Sequence, residues 1–230
     1  MQIPSILFED NHLLIVSKPS GMLVQGDITG DRSIKEWAEV DVAQRFNKPG
    51  KAFIGLPHRL DRPTSGIVVL AKTSKALARM NALFSGRDIQ KTYWAIVEGC
   101  PTEPEARLEH FLHRDGKTKK SFVSRHPDAQ KAVLHYQVLS VGGNYSLLKI
   151  DLETGRHHQI RVQLQALGHP IKGDLKYGSK RSNPEGGIAL HARAIAFVHP
   201  VSGLDIRITA PPPNNSLWNA LKAAYENEYH

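Results

Sequence analysis

Polar turn formers cut the start of the chain into short apolar runs. Glu9-Asp10-Asn11 separates Ile6-Leu7-Phe8 from Leu13-Leu14-Ile15-Val16, which predicts two strands, and Lys18-Pro19-Ser20-Gly21 breaks the pattern. Ser33 and Glu36 have capping-box spacing, with Ile34, Trp37 and Ala38 on one face, so a helix is expected there, ended by the Lys48-Pro49-Gly50-Lys51 loop. From Phe53 to Leu70 an apolar run is interrupted by the polar segment Pro57 to Gly66. Ser74 is the expected cap of a second helix carrying Leu77, Met80, Leu83 and Phe84 and stopping at Gly86.

Alternation then takes over. Lys91 to Glu98, Arg107 to Leu112, Ser121 to Ser124, Val133 to Val141 and Tyr145 to Leu152 read as strands, with turns at Arg114-Asp115-Gly116-Lys117 and Gly142-Gly143-Asn144. Ile160, Leu164 and Leu167 place a helix over His157 to Leu167, ended by Gly168 and Pro170. Two further strands, Ala189 to Val198 and Asp205 to Thr209, flank a Ser202-Gly203 turn. Ser216 is the expected cap of a last helix that buries Leu217, Ala220, Leu221 and Ala224. Consecutive hairpins with a few helices between them indicate an α+β fold with a mixed, mostly antiparallel sheet. Nothing repeats and no linker stands out, so residues 1–230 are expected to form a single domain, in two lobes.

Composition narrows the class. The chain has 230 residues, 40% of them hydrophobic, with 30 Lys+Arg against 22 Asp+Glu and a formal charge of +8. Counting glycine, the apolar fraction falls in the roughly 45–50% range of globular chains, so a basic disordered tail is excluded. The single Cys100 cannot form an internal disulfide, and no run approaches the roughly 18 apolar residues of a membrane helix. A cytoplasmic protein with no membrane partner is expected, and the charge makes a polyanion the first partner to test. No long apolar stripe stands out, which favours a monomer.

Two segments carry the densest chemistry. In His58-Arg59-Leu60-Asp61-Arg62-Pro63-Thr64-Ser65-Gly66 a carboxylate lies among two guanidiniums and an imidazole, between apolar runs. Nearby arginines would hold Asp61 ionised, as a nucleophile or base requires. The alternative is an ordinary turn in which Asp61 caps an N–H. The second segment, Gly155-Arg156-His157-His158-Gln159-Ile160-Arg161-Val162-Gln163, opens the third helix, with Arg161 one turn beyond His157. A helix N-terminus ringed by cations favours an anion, although a solvated basic face would look the same. A metal site built from His157, His158, His169, His191 or His199 is disfavoured, because no ligand spacing or carboxylate cluster accompanies them. Tyr93 lies in an alternating strand, where it is either a packed aromatic or a platform for a base. Lysines cluster at Lys117, Lys119 and Lys120 with Arg125, and again at Lys172, Lys176 and Lys180 with Arg181. Both runs could track a phosphate backbone.

Taken together, Val16-Ser17-Lys18-Pro19-Ser20-Gly21, His58 to Gly66, Lys91-Thr92-Tyr93 and Gly155 to Val162 resemble the RluA-type RNA pseudouridine synthase family, in the family's motif order. The resemblance implies a mixed, mostly antiparallel sheet in two lobes around an RNA-binding cleft, with no cofactor and no metal. It assigns Asp61 as the catalytic aspartate, Tyr93 as the active-site tyrosine and Arg161 as the arginine that pairs with the aspartate. Arg59 matches the residue that enters the gap left by a flipped nucleotide. His58, Arg62, Thr64, Arg156 and His158 join it as substrate-binding candidates. The implied substrate is a structured stem-loop of tRNA or rRNA, recognised by the catalytic domain without an N-terminal RNA-binding extension. His157 stands where the family usually has Thr and Gln163 where it usually has His, departures expected to alter substrate contacts.

Overall fold

The structure is a computed structural model that describes residues 3–228. Its secondary structure is α+β and the chain divides into two compact units. Seven strand pairs among the described residues are antiparallel.

The first unit comprises Met1–Lys91 and Ala192–Pro211. Its strands are β1 (Ser5–Glu9), β2 (Leu13–Lys18), β3 (Ser65–Ala71), the larger part of β9 (Leu190–Val198) and β10 (Asp205–Thr209), ordered β1-β2-β3-β9 with β10 along β9. Every residue of β3 is buried, which is why it reads as an unbroken apolar run rather than an alternating one. Helix α1 (Ile34–Arg45) starts at the expected capping box: the Glu36 N–H donates to Ser33 Oγ at 3.3 Å and the Ser33 N–H donates to the Glu36 carboxylate at 2.8 Å. Helix α2 (Ser74–Gly86) differs from expectation at both ends. Its cap is Thr73, whose hydroxyl accepts the Ala76 N–H at 3.1 Å, and Arg87, not Gly86, takes the left-handed closing position at φ 65°.

The second unit comprises Thr92–His191 and Pro212–His230. Strands β4 (Gln90–Glu98), β5 (Glu105–Asp115), β6 (Lys120–Val123), β7 (Gln130–Gly142) and β8 (Tyr145–Leu152) are ordered β4-β8-β7-β5-β6. Ala95, Ile96, Leu134, Leu147, Leu148 and Ile150 form the centre of its core. Helix α3 is shorter than expected, Gln159–Ala166, because His158 adopts a left-handed conformation (φ 55°) that α-helix cannot continue through. His157 therefore does not share a helical face with Arg161. Helix α4 (Ser216–Glu228) is anchored by Trp218 and Leu221, while Ala220 is exposed. Its first turn is capped by Asn215, whose side-chain oxygen accepts the Trp218 N–H at 3.1 Å, so Ser216 is not the cap. No helix among the described residues is long and apolar enough to cross a membrane.

Candidate active site

In the first unit the loop bearing Asp61 is stitched to the Lys18-Pro19-Ser20-Gly21 turn. The Thr64 N–H donates to the Asp61 carbonyl at 3.0 Å, closing a turn around Arg62 and Pro63. Lys18, at the end of β2 and 1% exposed, donates its ammonium protons to the carbonyls of Met22 (2.8 Å), Pro19 and Arg62 (3.1 Å each). The Gly21 N–H donates to the Arg62 carbonyl at 2.9 Å, and the Ser20 hydroxyl to the Pro63 carbonyl at 2.7 Å. Burial pushes the Lys18 pKa down to about 7; the Asp61 carboxylate opposes that shift and the Arg62 guanidinium adds to it. Asp61 is thus held in a loop whose next two backbone carbonyls, those of Arg62 and Pro63, are fixed.

Its neighbours divide into working parts. Arg62 is exposed, donates to the Gly21 carbonyl at 3.0 Å and pairs with Asp31 at 2.5 Å. Arg59 is exposed. Thr64 is 2% exposed and its hydroxyl has no hydrogen-bond partner. His58 Nε2 accepts the Val69 N–H at 2.9 Å, which puts the ring proton on Nδ1, and the ring stacks on Phe84 with centroids 4.5 Å apart. Burial, aided by the Lys91 ammonium, drives its pKa down to about 3, so His58 is a neutral strand acceptor.

In the second unit Tyr93 sits half-buried in β4, opposite Ile150 of β8 and packed on the core. Arg161 is 4% exposed, so the reading of a solvated basic face fails for it. Its Nε donates to Asp174 Oδ2 at 2.6 Å and its Nη2 to Oδ1 at 2.9 Å, a two-bond fork on a carboxylate that is 1% exposed. The guanidinium carbon lies 4.8 Å above the Tyr177 ring. Tyr177 in turn accepts the Ser121 N–H at 2.9 Å, and its hydroxyl lies 2.7 Å from His158 Nδ1. His157 and His158 stack with ring centroids 3.7 Å apart, His157 Nδ1 being 2.8 Å from Ser121 Oγ. Arg156 donates from Nε to the Lys131 carbonyl at 3.0 Å. Gln159 locks the turn before α3, its side-chain oxygen accepting from the Thr154 hydroxyl (2.7 Å) and the Arg156 N–H (3.0 Å).

Lys18, Asp174, Tyr177 and Gln159 are the members that sequence reasoning missed. Lys18 had a signal, a lysine closing an apolar strand just before a proline; Asp174 had none. Gln163 corrects an expectation. It is fully buried and its amide donates to the Leu108 carbonyl at 3.1 Å, so it bonds the sheet rather than a substrate. Two of the histidines weighed as metal ligands are engaged otherwise. His199 Nδ1 accepts the N–H groups of Val201 and Ser202, with Nε2 3.0 Å from Asp10, and His191 packs edge-on to Trp218.

Known proteins resemble this chain in both sequence and fold. The profile described as RNA pseudouridylate synthase matches residues 12–166. An uncharacterised RNA pseudouridine synthase of Synechocystis sp. is 36% identical over 214 residues, covering 90% of this chain and 65% of the relative. Ribosomal large subunit pseudouridine synthase D of Zymomonas mobilis is 35% identical over 227 residues, covering 91% and 69%. Among solved structures, human RNA pseudouridylate synthase domain containing 4 aligns with a TM-score of 0.78 at 26% identity, covering 95% of this chain and 93% of that one. The chain belongs to the RNA pseudouridylate synthase family, whose members are isomerases that convert uridine in RNA to pseudouridine. It spans about two thirds of the length of the two bacterial relatives.

Proposed function

We propose that this chain isomerises specific uridines of structured rRNA or tRNA to pseudouridine, with Asp61 as the catalytic carboxylate. The observation that carries the reading is the fixing of the Asp61 loop by Lys18, Ser20 and Gly21, which ties two family motifs to one backbone turn. In the reaction the N1–C1′ bond breaks, the base turns, a C5–C1′ bond forms, and the C5 proton leaves to water while N1 gains one. No redox step occurs. The target base must leave the stack, at a cost of a few kcal/mol offset by pocket contacts. Tyr93 is assigned to stack on the extruded base, and Arg161 to supply the counter-charge that keeps the carboxylate ionised. Arg59, Arg62, Arg156 and His158 are assigned to the RNA backbone and the flanking nucleotides, His58 and Thr64 to shaping the Asp61 loop. The Zymomonas mobilis relative, named for the ribosomal large subunit, favours rRNA over tRNA. We assign the chain to the cytoplasm as a monomer.

Incubating the protein with RNA tritiated at uracil C5 tests the reading. Label should pass to water with the parent, and Asp61→Asn should lower the rate by at least 1,000-fold. An Asp61→Asn protein as active as the parent removes Asp61 from the chemistry.

A further inference from the structure

One stretch of the second unit concentrates charge and exposed aromatic surface that the catalytic residues do not use. Residues 110–131 carry Arg114, Lys117, Lys119, Lys120, Arg125 and Lys131 against only Asp115 and Asp128. Half of the net charge of the whole chain thus falls in about a tenth of its length. Asp115 is spent within its own turn, accepting the Lys117 N–H at 2.8 Å and the Thr118 hydroxyl at 2.7 Å. Of the six cations, only Lys131 forms an ion pair among the described residues, with Glu109 at 2.6 Å.

The same strands present rings on one face. Phe111 and His113 are two positions apart in β5, so they point to the same side of the sheet. His113 stands in register with Phe122 of β6, and Phe111 with Lys131 of β7, which brings all four to that face. Phe111 is 51% exposed and Phe122 45%. The His126 ring joins them, 4.3 Å from that of His113. The opposite face is committed to packing: Leu112 joins a small core cluster with Ala132, Val162 and Tyr177. Exposed aromatic rings grouped on one sheet face mark an interaction site, and the surrounding charge decides the partner. Aromatic rings spaced along a sheet and bordered by cations are the combination that binds single-stranded nucleic acid: bases stack on the rings while the cations follow the phosphates.

We propose that the outer face of the β5–β6 hairpin, built on Phe111 and Phe122, is an accessory site for a single-stranded segment of RNA. It extends the substrate reading above by adding a second contact that stacks unpaired bases, and it rests on RNA being the partner of this chain. It acts on affinity and not on the chemical step.

The test uses a fluorescent 12-nucleotide single-stranded RNA and a 4-thiouridine version for photocrosslinking, both with the full chain. The parent should crosslink to peptides within residues 110–131, and Phe111→Ala/Phe122→Ala should weaken binding about tenfold or more with the salt dependence of the affinity unchanged. Lys119→Gln/Lys120→Gln should instead lower that dependence, by up to about 0.7 in log–log slope per lysine. Phe53→Ala, at another exposed phenylalanine (50% exposed), should bind as the parent does. Crosslinks confined to residues 58–66 and 155–163 would overturn the proposal, as would undiminished binding by the double Phe variant, equal weakening by Phe53→Ala, or a parent dimer that the double Phe substitution dissociates. The crosslinking arm needs no variant to fold. Because none of these readouts uses pseudouridine formation, failure of the catalytic reading shows separately, in the tritium assay.

Discussion

Lys18 and Asp174 are both charges taken almost wholly out of water, and each is compensated differently. Three carbonyls surround the Lys18 ammonium, which spreads its charge over dipoles, whereas Asp174 meets the Arg161 guanidinium through two parallel bonds. Breaking the second arrangement is the more damaging, because an arginine stays charged and cannot relieve itself by losing a proton. Asp174→Asn should lower unfolding stability by about 3 kcal/mol in urea titrations. The double variant with Arg161→Met should lie nearer the parent than the sum of the two single losses. His58 gives a prediction in pH. Its folded pKa of about 3 lies below the unfolded 6.5, so between those values the unfolded chain binds the extra proton, and stability falls as the medium is acidified from pH 6.5 towards 3. The stabilising contribution is complete above pH 6.5. His58→Gln keeps an acceptor for the Val69 N–H without titrating, and its stability should fall less steeply with acid, the difference being at most about 1.4 kcal/mol per pH unit. Parallel slopes for the two proteins would contradict that.

Elements were legible to the degree that local chemistry sets them. The capping box of α1 is complete in four residues, Ser33 to Glu36, so the sequence alone marks the start of that helix. The cap of α2 was misplaced by one residue because Thr73 and Ser74 are equally good acceptors in sequence, and only the extended backbone of Thr73 (φ −140°) chooses between them. The missing first turn of α3 follows from His158, a residue with no sequence mark of left-handed backbone. The Asp61 segment stood out because it places charges between two apolar runs. Asp174 did not: it lies 13 positions beyond Arg161, and the short helical turn at Leu175–Tyr177 that sets it facing the arginine carries no periodic signal. Gly66 is the element-scale position with least tolerance. It is the second residue of β3, at φ 109°, and a Cβ there would strike the Ala192 carbonyl oxygen and come within 2.6 Å of the Ala192 nitrogen on β9. Backbone atoms cannot swing aside as a side chain would. Gly66→Ala should therefore destabilise by about 4 kcal/mol or prevent folding, measured by thermal melting, whereas the same change at Gly30, which has nothing within 4 Å, should cost far less.

At the scale of the whole chain, a formal charge of +8 points to a polyanionic partner, and the structure shows where that basicity is concentrated. Residues 110–131 hold half of the excess, in and around a hairpin that exposes Phe111 and Phe122. Among the described residues, the histidines are mostly packing and hydrogen-bonding groups, as His58 and His199 illustrate.

The first unit is also discontinuous in sequence: β9 lies beside β3, yet its first-unit part begins at Ala192, about 120 residues after β3 ends. On a ribosome adding about 5–20 residues per second, β3 waits roughly 6–24 seconds for that neighbour. During this interval β1, β2 and β3 can pair among themselves, but one long side of β3, a strand wholly buried in the folded protein, has no strand to join. The nascent chain is then a template for any passing strand, so the order of synthesis makes this protein's early life depend on chaperone cover more than its folded form would suggest.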